Sequence, residues 1–457
     1  MFLQTRRVQF FANDTSAYNP TLWAYEGISL LWENMGMSRI VNNDYSPMIA
    51  QFGDVVKTRK VTKFVANRKD PTDNVTVQDA QATSYQVALN QWPHVSFQLN
   101  DSEITKSFKD LVSEFLEPAM MALAKMIDQC LLYQFAQFLP NGVGRLGNMT
   151  TSTVKTDILS ARKAMNDLLV PDVNRVLMWT SNGESKALAT DLFIASNQRG
   201  DGGDALTNAT LGRILGFNNY MSQNAPTVTA TTRVTGTVNA AGGYSVGATT
   251  FTVTGFSAAI AAGSFITVAG DDTPLRVVST VGAGTPTSIT VSSGLKQAVA
   301  NSAVVTVYTP GTVTGAYALG YSKAITISAA IMPSVGQMVT FKQNTTGAVY
   351  VVTQKSGSTI VLDRPLEEAL SNSDAINLGP AGDYNFAFDR DAIMMVSRPL
   401  ATALPGTGVA MSVANNENIA LRASISYNGL AQAHLITIDT LFGVAIRDAS
   451  RGVPLFG

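Results

Sequence analysis

Residues 226–378 repeat themselves, and the repeat limits what this stretch can become. Residues 263–268 (GSFITV) match 336–341 (GQMVTF), 277–280 (VVST) match 351–354 (VVTQ), 288–291 (SITV) match 359–362 (TIVL), and 301–305 (NSAVV) match 372–376 (NSDAI). The offset stays between 71 and 74 residues. A self-similar period of this length means two copies of one small folded unit. The stretch holds 7 Lys/Arg and 6 Asp/Glu in 153 residues, against 25 and 27 in the other 304. Thr, Val, Ser, Ala and Gly dominate, and short β-branched runs alternate with glycine turns. Two tandem β-barrels or sandwiches, at about 240–308 and 316–378, are the expected form. Neither copy contains His, Cys or Trp, which points to contact or display rather than catalysis.

The longest helical signal runs over 100–138. Ile104, Phe108, Leu111, Phe115, Ala119, Ala122, Met126 and Cys130 recur at spacings of three and four, the spacing of one helix face. Val112, Leu116, Leu123, Ile127 and Leu131 widen that face. Asn100 and Glu103 are spaced as a capping box, and Asp101 and Glu103 suit the positive end of the helix dipole. Pro118 cannot donate to the ladder and predicts a kink or break. A continuous helix of about 36 residues would span roughly 54 Å.

A formal net charge of −1 with 14% charged residues gives no global basic excess to suggest nucleic acid and no acidic excess to suggest disorder. The single cysteine, Cys130, excludes a disulfide within the chain. His94 and His434 fall in separate strands, so one Cys and two His argue against a soft metal site and leave a carboxylate site open, and no residue pattern calls for a cofactor. No apolar run reaches the length of a membrane span, and the N-terminus lacks a signal-peptide core.

Residues 1–52 read as an arm with one short helix, opened by Tyr18-Asn19-Pro20 and closed at Gly36. Trp23 and Trp32 in that helix need a surface, either this chain's core or a neighbouring copy. Residues 53–69 read as a long strand and the most basic stretch of the chain, with Lys57, Arg59, Lys60, Lys63, Arg68 and Lys69. Residues 83–99 alternate, with Tyr85, Val87, Leu89, Val95, Phe97 and Leu99 on one face and Ser84, Gln86, Asn90, His94, Ser96 and Gln98 on the other. Paired through a polar turn region, the two would form a ribbon of about 17 residues per arm, over roughly 50 Å long. An isolated ribbon is marginal in water and needs support from its own chain or another subunit. Residues 139–225 predict a small α/β unit: a helix over 154–169, a strand over 175–180, a helix over 184–196 and a glycine loop. The RGD at 199–201 reads as part of that loop. A buried strand at 392–396 and a hairpin of 418–427 with 432–447 about Asn428-Gly429 come after the repeat.

This order of elements resembles the major capsid proteins of tailed bacteriophages with the Hong Kong 97-like fold, in the branch with an inserted β domain. The stretches that carry the likeness are FGDVVKTRKVTKFVANRKD, VALNQWPHVSFQLNDSEITKSFKDLV, LGRILGFNNYMSQN, FAFDRDAIMMVSRPLA and LITIDTLFGVAIRD. The resemblance implies an α+β fold with an N-terminal arm (1–52), an extended hairpin loop (53–100), a peripheral domain with a spine helix (101–146 and 409–457), an axial domain (147–225 and 379–408) and an inserted β region (226–378) projecting from it. It implies a non-enzymatic structural subunit without cofactor. Many copies would form hexamers and pentamers of an icosahedral virion shell around double-stranded DNA, assembled in the host cytoplasm. Partners would be a portal protein, a decoration protein and a separate scaffolding protein, or a scaffold already cleaved from a longer precursor. Candidate intersubunit residues are Lys57, Arg59, Lys63, Tyr85, Val87, Leu89, Trp92, Phe97, Trp23 and Trp32, with Lys57, Arg59 and Lys63 in salt bridges.

The alternative is a secreted or tail-associated adhesin that uses the β repeats on carbohydrate, but their aromatic residues are scattered singly. An enzyme would need carboxylate pairs such as Asp271/Asp272, Glu367/Glu368 or Asp389/Asp391 to act as acid and base. Such pairs are common in any chain, and Asp271-Asp272 reads as a solvated turn.

Overall fold

Both copies of the repeat close into six-stranded barrels of one topology. The computed structural model describes residues 20–45, 48–59, 64–72, 74–75, 77–78, 84–100, 112–195, 208–209, 211–229, 233–282, 284–308, 311–329, 332–341, 347–404, 409–416 and 418–457. Round the first barrel the strands run Arg233–Val238, Thr250–Thr254, Ser288–Val291, Leu275–Val281, Phe265–Val268 and Val304–Tyr308, which pairs back with the first. Round the second they run Gly311–Thr314, Ile325–Ser328, Thr359–Leu362, Tyr350–Ser356, Met338–Phe341 and Ala375–Leu378. The small hydrogen bonds repeat as well. The Tyr244 hydroxyl accepts from the Thr252 amide at 2.9 Å, and the Tyr317 hydroxyl from the Thr326 amide at 2.8 Å. Asn301 accepts from the Ala240 amide at 3.0 Å, and Asn372 from the Gly315 amide at 2.9 Å.

The structure shifts one part of the sequence alignment. The Gly263 amide bonds the Val277 carbonyl at 2.8 Å, and the Gly336 amide bonds that of Val352 at 2.7 Å. Val352, not Val351, is therefore the counterpart of Val277. The slip arises because Tyr350, Val351, Val352 and Thr353 are all buried, so the period-two signal that fixes register is missing there.

The barrels pack onto the rest of the chain. Phe265, Met338, Val349 and Val351 belong to the same core as Phe135, Tyr384 and Phe386. Thr340 donates to the Gly263 carbonyl at 2.7 Å and joins the barrels to each other. The Leu146 amide donates to the Asp272 carbonyl at 3.0 Å, and the Lys296 ammonium to the Pro140 carbonyl at 2.6 Å. Asp271, expected in a solvated turn, is wholly buried and accepts the amides of Lys296 at 2.8 Å and Gln297 at 2.6 Å.

A mixed sheet carries the α/β unit. Its order is Val143–Gly144, Gly452–Phe456, Gly382–Asp389, Arg175–Trp179, Phe217–Met221 and Arg213–Ile214, with Thr227–Val228 also on Gly382–Asp389. Helix Val154–Asp167 packs Val154, Ile158, Ala161 and Met165 against Leu177, Trp179 and Leu455. The second helix starts earlier than expected, at Ser181, where Thr180 Oγ1 caps the Gly183 amide at 3.0 Å. It stops at Leu188 and is followed by a single turn, Asp191–Ile194. The last strand, Gly452–Phe456, lies inside this sheet, where the resemblance implied a C-terminal tail of the peripheral domain.

That hairpin builds a four-stranded antiparallel sheet of Val409–Asn416, Ile419–Asn428, Ala433–Asp439 and His94–Asn100. Alternation along this strand predicts Ile419, Leu421, Ala423, Ile425 and Tyr427 on the inward face; the first four are buried, and Tyr427, at the hairpin end, is exposed. The expected strand over 432–447 is cut near Thr440. Its second half, Phe442–Ile446, joins a three-stranded sheet with Ile393–Ser397 and Asn42–Tyr45.

Between these sheets lies the long helix. Over the described residues it opens with a π-helical turn, Val112–Leu116, runs as α-helix over Glu117–Leu132 and tightens to 3-10 over Tyr133–Asn141. Asn100, expected to cap the helix, instead ends the strand His94–Asn100 opposite Ala433, while Asp101, Glu103, Ile104, Phe108 and Leu111 lie outside the described residues. Pro118 falls at the start of the α segment, directly after the π turn, and the break it predicted coincides with the change from π to α geometry. A π turn carries more residues than an α turn and so rotates the α segment about the helix axis. Leu116, Met120, Leu123, Ala124, Ile127 and Leu131 accordingly form the buried stripe, while Ala122 is exposed.

Helix Pro20–Asn34 buries Trp23, Ala24, Gly27, Ile28 and Leu31 against the long helix and the four-stranded sheet. Its exit is tied by one carboxylate. Asp128 on the long helix accepts the Gly36 amide at 2.9 Å and the Met37 amide at 3.1 Å. Burial pushes this carboxyl from 3.8 up to about 6, against those amides and Arg39. The folded form thus holds the proton more tightly than the unfolded form. The resulting stability is full below about 3.8 and is lost as pH rises through about 6. We expect the stability of the wild type relative to Asp128→Asn to rise by up to about 3 kcal/mol between pH 7 and 4, read from urea midpoints of the unassembled chain. A pH-independent difference would contradict this.

Candidate interaction surface

The chain's basic strand and its partner form a ribbon much shorter than the sequence suggests. Val55–Arg59 pairs antiparallel with Ser84–Ala88, Val55 opposite Ala88 and Arg59 opposite Ser84. Residues 60–63, and with them Lys60 and Lys63, lie outside the described residues, and 64–69 carry no strand. The second arm is broken as well. After Ala88 the chain turns at Asn90, Trp92 and Pro93, and His94–Asn100 joins the four-stranded sheet instead. Pro93 lacks the amide a continuous ladder needs, while the alternation of apolar residues carries across the break and hides it.

The base of the ribbon is held firmly. The Gly53 amide bonds the Leu89 carbonyl at 2.9 Å, and the Leu89 amide bonds the Asp54 carbonyl at 2.8 Å. Val87 and Leu89 pack with Met394, Val396, Leu400 and Leu441. Gly443 lets the backbones meet: a Cβ there would lie 2.3 Å from the Ala88 carbonyl oxygen.

Apolar residues around and beyond the base are exposed. Met48, Ile49, Phe52, Val55, Phe64, Val65, Val75 and Val77 are between 45% and 90% exposed. Lys57, Arg68 and Lys69 are exposed beside them. The two arms stay together where the side-chain oxygen of Gln78 accepts the Val65 amide at 2.9 Å. So many bare apolar side chains on one stretch of chain suit a contact surface.

The candidate contact residues divide into two groups. Trp23, Val87 and Leu89 are at most 1% exposed. Their apolar surface is already used within the subunit, so they cannot be intersubunit contacts in this conformation. Phe97 is half-buried between Trp23, with ring centres 5.9 Å apart, and Phe115, at 5.8 Å. Trp32 is half-buried, with the Arg39 guanidinium 5.2 Å from its ring centre. Tyr85 is half-buried opposite Thr58. Lys57 is exposed, and the backbone of Arg59 ends the described part of the strand.

Trp92 is 45% exposed and held in a fixed orientation. Its indole nitrogen donates to Asp439 at 2.9 Å. The Arg422 guanidinium clasps the same carboxylate at 3.0 and 2.5 Å and lies 5.7 Å from the Trp92 ring centre. Phe52 stands 6.3 Å from that ring. Trp92, Phe52, Pro93, Met126 and Gln354 line a cleft of about 610 Å³ between the ribbon base, the long helix and the second barrel. Sequence reasoning flagged Trp92 but missed Arg422 and Asp439, which lie over 300 positions away.

The carboxylate pairs suspected of catalysis have structural partners. Asp389 meets Arg451 at 2.5 Å, Asp391 meets Arg447 and Arg451, and Glu367 meets Arg364 at 2.8 Å. His94 is exposed on an outer strand, and His434 lies 5.0 Å from the Tyr427 ring. Among the described residues no group of three His, Cys, Asp or Glu could hold a metal ion, and no helix is long and apolar enough to cross a membrane.

No known family model matches this sequence, and no curated protein does. Solved structures do match in chain path. The capsid of cyanophage P-SCSP1u is 11% identical, covers 91% of this chain and 86% of its own, with a TM-score of 0.41. The mature capsid of bacteriophage PhiM1 is 8% identical over 92% and 86%, also with a TM-score of 0.41. The capsid of Staphylococcus phage Andhra is 7% identical over 91% and 82%, with a TM-score of 0.39. The likenesses run nearly the full length of the chains, at scores too low to transfer any residue.

Proposed function

We propose that this chain is the shell-forming subunit of a tailed-phage capsid. Many copies pack as hexamers and pentamers into an icosahedral virion shell around double-stranded DNA. Assembly takes place in the host cytoplasm with a separate scaffolding protein and a portal, and a decoration protein is a further partner. The observation that carries this reading is the set of exposed apolar and basic side chains over the described parts of 48–78, next to a firmly anchored base. Such a segment has a use only against another surface. A subunit that meets many copies of itself supplies that surface at every boundary. Arm, ribbon, long helix, α/β sheet and closing hairpin in this order also fit the Hong Kong 97-like plan. The adhesin reading has less support, because the barrel tyrosines 244, 317 and 350 accept amides of their own barrel through their hydroxyls.

On this reading Lys57, Arg59 and Lys63 pair with acidic groups of an adjacent subunit. One exposed pair contributes only about 0.2–1 kcal/mol, but the contact recurs at every subunit boundary, and reversing its sign replaces attraction with repulsion. The chain with all three residues changed to Glu, co-expressed with its neighbouring genes, should give soluble subunits with wild-type melting and no closed shells by negative-stain electron microscopy. Normal shells from this variant would remove the ion pairs. Small discrete particles from the wild type, under the same conditions, would remove the capsid reading itself.

A further inference from the structure

The chain contains three Asn-Gly steps, at 141–142, 182–183 and 428–429, and the fold treats one of them differently. In this dipeptide the glycine nitrogen can attack the asparagine side-chain carbonyl, because no Cβ hinders its approach. The attack needs a free nucleophile and a side chain able to turn toward it.

At Asn141 both are held. Its side-chain nitrogen donates to the carbonyls of Ala449 at 2.7 Å and Gly452 at 3.1 Å, and the Gly142 amide donates to Leu139 at 3.0 Å. Gly142 is also packed so closely that a Cβ there would lie 2.4 Å from the Phe456 ring. At Asn182 both are held again. The side-chain nitrogen donates to Asp383, and the Gly183 amide caps on Thr180 at 3.0 Å inside a helix.

Asn428 ends the strand Ile419–Asn428 at an exposed hairpin tip. Nothing lies within 4 Å of a Cβ placed on Gly429, and the neighbouring Leu430 is fully exposed. The Asn428 side chain uses only its oxygen, which accepts the amides of Leu430 at 3.1 Å and Ala431 at 3.4 Å. Those two donors draw electrons from the carbonyl that would be attacked. They also stabilise the oxygen as negative charge develops on it.

We propose that Asn428 is a site of spontaneous backbone-assisted deamidation in the folded chain, and that Asn141 and Asn182 are protected. The Gly429 nitrogen bonds to the Asn428 side-chain carbon, and the side-chain nitrogen leaves as ammonia with the displaced proton. The resulting cyclic imide then adds water, opening to aspartate or isoaspartate. Amide and water thus become carboxylate and ammonium, with no other reactant. The product places a new negative charge at the tip, near His434.

The test is peptide mass spectrometry on the intact folded chain, aged in mildly alkaline buffer made with heavy-oxygen water so that conversion during digestion is distinguishable. The peptide carrying Asn428 should convert at least about ten-fold faster than those carrying Asn141 and Asn182, whose locking hydrogen bonds must first open. In the urea-unfolded chain the three rates should converge. Gly429→Ala should slow the reaction in the folded chain, and its unchanged melting would show that the hairpin survives. Asn428 stable in the folded chain but reactive when unfolded would overturn the proposal. So would equal conversion at all three sites before unfolding.

Discussion

Asp363→Ala should destabilise the chain by about 3–5 kcal/mol, because it leaves a buried guanidinium without its main partner. Asp363 is 1% exposed. One carboxylate oxygen accepts the Val351 amide at 2.8 Å, and the other accepts Arg364 at 3.0 Å and Gln134 at 3.4 Å. Burial pushes the Asp363 carboxyl upward, opposed by Arg364 and the Val351 amide. Burial also works against the charge on Arg364, and Asp363 with Glu367 outweighs it. Arg364 lies 4.6 Å from the centre of the Tyr350 ring, and burial carries the Tyr350 phenol up to about 12. The double change Asp363→Leu with Arg364→Met removes both charges together and orphans mainly the Val351 amide, so it should cost only about 1–3 kcal/mol. The comparison is read from urea midpoints of the unassembled chain. Equal losses in the single and double variants would show that packing volume, not the unpaired charge, sets the cost.

This ion pair shows what the sequence could and could not reveal. Nothing in residues 361–370 (VLDRPLEEAL) marks Asp363 for burial. It is buried where the second barrel meets the 3-10 end of the long helix at Gln134, and no local pattern encodes that docking. Local geometry was legible. The repeat predicted two tandem barrels or sandwiches, and the three-and-four spacing predicted the long helix. Partner choice between strands was not. The alternation of 83–99 continues smoothly through Pro93 although the chain changes sheets there, because both sheets bury the same parity of residue. Thr440 divides two strands for the same reason, and the Asn428-Gly429 turn became a four-residue loop over 429–432. Of the candidate contact surface, Lys57 and Trp92 were named from the sequence and are exposed. The exposed apolar set over 48–77 was not singled out, since Val and Phe in a strand-like run look the same whether covered or bare.

The two tryptophans of the first helix, which the sequence could not tell apart, are separated by burial. Trp23 has no exposed surface and sits among Leu31, Leu99, Met120, Leu421 and Phe97. Gly27, one turn on, brings the helix so close that a Cβ there would lie 3.0 Å from Leu421. The helix therefore has little room to settle inward and fill a void. Trp23→Ala should cost about 3–5 kcal/mol, the loss for a fully buried aromatic with an unrelaxed cavity. Trp32 is half-buried beneath Arg39, and Trp32→Ala should cost about 1 kcal/mol or less in the unassembled chain, in line with its smaller buried area. If Trp32 meets a neighbouring copy, its effect appears in shell yield instead. Urea unfolding of both variants as unassembled chains, followed by electron microscopy of each after co-expression, gives the two readouts. A small stability loss for Trp23→Ala would mean that the first helix is not seated on the long helix before assembly and docks there only within the shell.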